Sequence, residues 1–335
     1  MNATMNQMVP VGSTSFLTRL GRLIAPFSGL VLVLLIFAIL EPSSFLSVSN
    51  FRTIAVHTVV VGIGAIGMTF VIVSGGIDLS IGSVIALASV VAALVLDLDP
   101  TPGPTVALLA GAGVGVVCGL LNGVLITSLR IAPFIVTLGM LGIARGLGKY
   151  LAGNQRVAPP ADSIGWLEWF MTKKPDPEWL GMAPGAWLLL GIAVLAAIVL
   201  RRTAFGVHVY AIGSNESTAR LCGVPVALTK VAVYTLCGLA AGLIGVTQLG
   251  RLSVGDPTTA VGEELKIIAA AVIGGASLAG GEGSILGAMI GAFMLTTLAA
   301  GCNLAGIDNS IQEIIIGTII VVAVTIDSLR HRRRS

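Results

Sequence analysis

Apolar stretches approaching the roughly 20 residues that carry a helix across a bilayer recur from end to end of the chain, and no other feature restricts the fold as strongly. Ten such stretches run approximately over 24–40, 53–74, 83–96, 105–129, 133–151, 184–200, 231–249, 265–278, 285–300 and 311–326. Short segments rich in Gly, Pro, Asp and Asn, the residues that interrupt helices, separate them. The pattern predicts an all-α polytopic membrane protein of about ten transmembrane helices. The third and eighth stretches are short for a full crossing and are expected to be half-helices or tilted pieces beside irregular backbone buried in protein. Composition points the same way: 55% of residues are apolar and 10% charged, too few charges to cover a water-exposed surface.

Arg19 and Arg22 precede the first apolar run, the charge pattern of a secretory signal. No small-x-small cleavage pattern follows, and Glu41-Pro42 ends the run, so it is expected to be retained as a first transmembrane helix. The net charge of +3 and a pI near 8.8 do not indicate nucleic acid, because most cations flank apolar runs instead of clustering on a polar face.

With the N-terminus inside and ten crossings, inside segments hold Arg19, Arg22, Arg130, Arg201, Arg202, Arg220, Lys230, Arg330, Arg332, Arg333 and Arg334. Outside segments hold Arg52, Arg156, Lys173, Lys174 and Arg251. Eleven against five follows the positive-inside rule, and both termini are expected in the cytoplasm. On this reading residues 1–23 are a cytoplasmic tail and 152–183 an external loop carrying Trp166, Trp169 and Trp179. Residues 201–230 form a cytoplasmic loop and 328–335 a basic cytoplasmic tail. Four cysteines, Cys118, Cys222, Cys237 and Cys302, lie far apart without a C-x-x-C pair, which argues against disulfide or zinc chemistry; all four are read as packing residues. The 43 glycines are spread through the spans and predict close helix packing. An echo between Val73-Ser-Gly-Gly and Ile273-Gly-Gly, each soon followed by a Gly-Ser pair and a new span, hints at internal duplication.

Three features carry candidate functional residues. Gly213-Ser-Asn-Glu-Ser-Thr-Ala-Arg-Leu-Cys-Gly-Val-Pro225 reads as one short helix: Asn215 as N-cap, Glu216 in the first turn, Arg220 near the last, Gly223 at the left-handed C′ position and Pro225 blocking continuation. A helix of about two turns is unstable alone, so it docks either on its own bundle or on another subunit. Second, Val73-Ser-Gly-Gly-Ile-Asp-Leu-Ser-Ile-Gly-Ser83 places Asp78 at membrane depth, where an ionisable group is either functional or, with Ser80, a cap for the next span; Gly75 and Gly76 supply the turn. Third, Asn122, Thr137, Gln248, Glu264, Asn303 and Gln312 interrupt or border apolar spans, so they bond between helices or line a path for a polar solute.

No phosphate loop G-x-x-x-x-G-K-[ST] occurs, since Gly146-Leu-Gly-Lys149 is followed by Tyr150, so the chain is not itself an ATPase. H-E-x-x-H and G-x-S-x-G are missing, and His57, His208 and His331 are scattered; neither a catalytic residue nor a metal site is expected.

The sequence resembles the inner-membrane permeases of ribose-, xylose- and galactose-type ABC sugar importers, nearly end to end. The resemblance is carried by Gly75-Gly-Ile-Asp-Leu-Ser-Ile-Gly-Ser83, Asn122-Gly, Pro133-Phe-Ile-Val-Thr-Leu-Gly-Met140, Gly213-Ser-Asn-Glu with Ala219 and Gly223, Glu264-Leu with Ile268-Ala-Ala, and Gly274-Gly followed by Gly280-Gly-Glu-Gly-Ser284. It implies a multi-pass protein of a bacterial inner membrane that translocates a monosaccharide, paired with a second permease subunit, cytoplasmic ABC ATPase subunits that bind ATP and Mg, and an external sugar-binding protein. This chain itself would hold no cofactor. It implies that Asn215, Glu216, Ser217, Ala219, Arg220 and Gly223 form the segment that contacts the ATPase. Asp78, Asn122, Phe134, Thr137, Glu264 and Asn303 are the candidates for the path or its gates. The outer segment 152–183 is longer and richer in tryptophan than the family leads one to expect. The rival reading is an ion-coupled secondary transporter of a small polar solute, with Asp78 or Glu264 as its coupling acid.

Overall fold

The computed structural model describes residues 16–332, with side chains described over 27–322 and at 324 and 325. The expected N-terminal tail up to residue 15 and the last three residues of the basic tail lie outside the described residues. The described chain is helical, with one isolated antiparallel bridge between Val157 and Gly255. In order the helices are α1 (Phe16–Leu40), α2 (Pro42–Phe45), α3 (Val48–Val73), α4 (Ile81–Leu96), α5 (Pro104–Ser128), α6 (Pro133–Leu151), α7 (Ala161–Ile164), α8 (Trp166–Phe170), α9 (Pro184–Arg202), α10 (Ala204–Ser214), α11 (Glu216–Leu221), α12 (Val226–Leu252), α13 (Glu263–Ile273), α14 (Ile285–Leu304) and α15 (Asn309–Arg332), with a 3₁₀ turn at Glu178–Leu180.

Each of the ten apolar stretches coincides with a helix. Six helices among the described residues, α3, α5, α6, α9, α12 and α14, are long and apolar enough to cross a membrane. The two stretches expected to be short are α4, of 16 residues, and α13, of 11; at 1.5 Å per residue α13 rises only about 16 Å, half a hydrocarbon core. The segment expected as one cytoplasmic loop contains a further helix, α10. Thr203 separates it from α9 with extended backbone and caps it, its Oγ1 accepting from the Gly206 N–H.

At the centre, α3 packs on α12, α14, α13 and α9, while α12 packs on α5, α4 and α3. The α5–α12 crossing depends on residues without side chains. Gly111, Gly115, Gly119 and Gly123 recur every fourth residue along one side of α5, and a Cβ on Gly115 or Gly119 would enter the backbone of α12 at Gly238, Gly242 or Tyr234. Removing side chains lets the backbones approach and gain dispersion contacts that lipid does not already supply.

The two halves of the echo adopt the same turn. Gly75 N–H bonds Ile72 O and Gly76 N–H bonds Val71 O; Gly275 N–H bonds Val272 O and Ala276 N–H bonds Ala271 O. Both are Schellman endings with a glycine at positive φ. The two irregular segments that follow, 74–80 and 274–284, meet where Gly281 N–H donates to Val73 O at 2.9 Å.

The glycine crossing makes a direct prediction. Gly115→Leu forces a side chain into the α12 backbone and costs several kcal/mol, by the scale of overpacked cores. Gly113→Leu, on the same helix with open space around it, is neutral. Thermal-unfolding curves of the detergent-solubilised protein are expected to shift down clearly for the first and not for the second.

Candidate functional sites

The first candidate is α11, which forms as its punctuation dictates. Asn215 is extended and its Oδ1 accepts from the Thr218 N–H at 2.8 Å. At the other end Gly223 has φ +83°, its N–H bonding Arg220 O and that of Val224 bonding Ala219 O. Glu216 takes Arg220 on one oxygen at 2.9 Å and Lys230, from α12, on the other at 2.6 Å. The Lys230 hydrogen bond, aided by Arg220, holds the Glu216 carboxyl below the usual carboxylate range. Ala219 is buried with Ile212 and Val226. This corrects one expectation: Ala219 is not a surface contact but the anchor that seats α11 on its own bundle. Ser217, Arg220 and Gly223 are exposed, Glu216 is half-buried, and beside them Leu221 is 88% and Leu228 74% exposed. Cys222 is exposed too, which corrects the reading of all four cysteines as packing residues; Cys118, Cys237 and Cys302 are buried.

The second candidate is the buried polar cluster at the break between α3 and α4. Asp78 is 2% exposed, and its Oδ1 accepts from the Ser80 N–H at 2.8 Å and from the Ser80 hydroxyl at 2.6 Å. Asn122 Nδ2 donates to Ser80 Oγ at 3.0 Å, and Thr137 Oγ1 donates to Ile77 O at 3.4 Å. Ser80 has helical backbone and makes no side-chain cap bond to α4. The expectation that Asp78 or Ser80 caps that span is therefore corrected: both side chains are spent on the loop. No Lys or Arg pairs with Asp78 among the described residues. Asn122 Oδ1 and the Tyr234 hydroxyl are buried without a partner.

The third lies at the far end of α12. With 27 residues, α12 spans about 40 Å and separates α11, before its first residue, from Arg251 near its last. There a cavity of about 110 Å³ is lined by Thr53 and His57 of α3, Gln248 and Arg251 of α12, Glu263 and Lys266 of α13, and Thr296 and Asn303 of α14, with Val60, Val61 and Leu295 as apolar wall. Arg251 Nε donates to Gln248 Oε1 at 3.0 Å and its Nη1 lies 3.3 Å from His57 Nδ1. Lys266 pairs with Glu263 at 2.8 Å. The loop before α13 is held in place by Arg156 on Asp256 at 2.8 Å and by Arg145 Nη1 on Pro257 O and Thr259 O.

Residues 50–324 match the family described as branched-chain amino acid transport system / permease component. The ribose import permease protein RbsC of Escherichia coli strain K12 is 39% identical over 90% of this chain and 92% of its own length. The fructose import permease protein FrcC of Rhizobium meliloti is 34% identical over 90% and 84%, and the L-arabinose transport system permease protein AraH of E. coli K12 is 34% identical over 90% and 91%. The chain belongs to this permease family. No solved structure matches it.

Within the permease, the sequence-predicted path residues fall in separate places. Asp78, Asn122 and Thr137 come together at the α3–α4 break. Glu264 approaches the same break from α13: its Oε2, buried and without a partner among the described residues, lies close against Gly82, two residues after Ser80. Asn303 lines the far cavity. Phe134 is half exposed on α6, one turn before Thr137, whose hydroxyl its carbonyl accepts at 3.3 Å. His57, Arg251, Glu263 and Lys266 were missed as site residues, although Gln248 and Asn303 signalled them as polar residues bordering apolar spans.

Because the folded-state pKa of Glu216 is depressed, the stability it lends α11 is complete above the unfolded value near 4.5 and is lost as pH falls below it. Hydrogen exchange of the Thr218 to Leu221 amides, corrected for intrinsic rates, is expected to quicken between pH 5 and pH 3. In Glu216→Gln it is expected to be fast already at pH 7.

Proposed function

We propose that this permease is the membrane-spanning subunit of an ATP-driven ABC importer for a monosaccharide in the bacterial inner membrane. Its ten apolar helices are ten crossings with both termini cytoplasmic, and two copies form the translocation unit. An external sugar-binding protein delivers the solute, and ATPase subunits holding ATP and Mg dock from the cytoplasm. The chain performs no covalent chemistry. Relatives named for ribose, fructose and L-arabinose support the substrate class, and the positive-inside distribution of Arg and Lys supports the orientation.

The observation that carries the reading is the build of α11. Its inner side is fastened by Ala219 and by the Glu216–Lys230 pair, while Arg220, Leu221 and Ser217 are exposed on it, next to exposed Leu228 in the first turn of α12. Exposed leucines next to exposed charges form an unpartnered surface at the cytoplasmic end of α12, as a docking face for a soluble subunit requires. The helix is also placed to transmit a push. Two residues before the cap, Gly213 in the last turn of α10 packs against the carbonyl of Val73 and the N–H of Gly281, and Tyr210 donates its hydroxyl to Gly283 O at 2.7 Å. A displacement of α11 therefore reaches both irregular segments, and with them Asp78, without crossing a flexible joint. Alternating access follows when that displacement exchanges the open end of the path.

The test uses the exposed Cys222. A membrane-impermeant maleimide is expected to label it in inside-out but not right-side-out vesicles, and to lose access when the ATPase is bound. Reconstituted with ATPase and binding protein, the complex is expected to take up sugar only with ATP, and Arg220→Ala with Leu221→Ala is expected to lower sugar-stimulated ATP hydrolysis about tenfold. Uptake driven by an ion gradient without ATP overturns the proposal in favour of the secondary-transporter reading.

A further inference from the structure

The cavity at the far end of α12 has more hydrogen-bonding capacity than the protein uses. Gln248 is 5% exposed; it gives Oε1 to Arg251, and its Nε2 donates to no protein group among the described residues. Arg251 engages through Nε and Nη1 and has Nη2 to spare. Glu263 receives Lys266 on Oε1 and has Oε2 unused. Asn303 accepts from Gln312 Nε2 at 2.7 Å on Oδ1 and has Nδ2 unused. Gln248 is buried while Asn303 is exposed, so the cavity is open to a polar occupant that completes these bonds, and its volume admits several waters or one small solute.

We infer that this cavity is a holding site, within each permease chain, for a neutral monosaccharide. The inference rests on the sugar-importer reading and adds to it where the solute sits. Spare donors on Gln248, Arg251 and Asn303 line the same cavity as a spare acceptor on Glu263, and a hydroxyl gives and takes at once, so a sugar offers each of them a partner. Val60, Val61 and Leu295 offer the C–H face of the ring an apolar wall. An amino-acid zwitterion fits less well. The guanidinium is already shared between Gln248 and His57, which spoils the free two-pronged edge that grips a carboxylate, and the Glu263 charge is answered by Lys266.

The test is equilibrium binding of the radiolabelled sugar that the complex imports, measured on the full permease–ATPase complex in nanodiscs with the external binding protein left out. Wild type is expected to bind it, weakly and saturably. Gln248→Leu and Asn303→Ala are each expected to reduce affinity about fivefold, as loss of one hydrogen bond does. Deoxy analogues lacking one hydroxyl should lose less in a variant than in wild type, a coupling that a merely structural role does not produce. Asn303 is exposed, so its variant reads the site even if Gln248→Leu fails to assemble. Unchanged affinity in Asn303→Ala together with uncoupled deoxy analogues, or displacement of the sugar by leucine, overturns the inference. A complex that imports sugar but binds none without its binding protein overturns the inference alone; one that imports no monosaccharide overturns the importer reading as well.

Discussion

At membrane depth a backbone that leaves the helix must find its hydrogen bonds inside the protein, and the arrangement of this permease follows from how it does so twice. α3 and α13 both end in a glycine turn, and both are followed by irregular chain. The two breaks answer each other, Gly281 N–H donating to the Val73 carbonyl, with Gly213 of α10 filling the space between them where any Cβ would strike backbone. Three segments far apart in sequence thus share one joint made largely of main chain. Main-chain contacts do not change rotamer, so the joint is stiff, and it lies next to α11.

From that joint the polarity of the interior can be understood. Asp78 sits in the first break, where Ser80 supplies two donors to one carboxylate oxygen and Asn122 holds Ser80 from α5. These bonds fix the shape of the loop and leave Asn122 Oδ1 and the Tyr234 hydroxyl as unpartnered groups beside it. An acid that couples ion flow needs a route to water and a partner that changes with its charge; Asp78 is enclosed, and its described partners are Ser80, two residues on, and the Cys237 thiol of α12. The local geometry is that of a brace for the first break.

How much was legible in the sequence depends on the range over which each signal acts. The helix α11 was fully readable, because Asn215, Glu216, Gly223 and Pro225 act within one or two turns. The short α4 and α13 were readable from the length of their apolar runs. The side of α11 that faces inward was not: Ala219 and Ser217 are both small, and only the tertiary placement of Ile212 and Val226 decides that the first is buried. α10 was missed because its sequence, Ala204–Ser214, is apolar but too short to register as a span, and only Thr203 marks its start. The far cavity draws on α3, α12, α13 and α14. Arg251 looked like an ordinary positively charged flank until the fold set it against Gln248 and His57.

The two ends of α12 carry opposite kinds of surface, and this asymmetry is what a one-way machine requires. One end meets α11, whose Glu216 salt bridges and exposed Leu221 lie beside a rigid main-chain joint. The other meets a pocket whose side chains are only partly satisfied, under a loop tied down by Arg156 and Arg145. Along the helix between them, glycines in contact with α5 replace side chains that would interlock, so the α5–α12 contact is close but carries few directional bonds. On the proposed coupling role, it is the stiff main-chain joint beside α11 that carries a displacement of that helix to the two breaks.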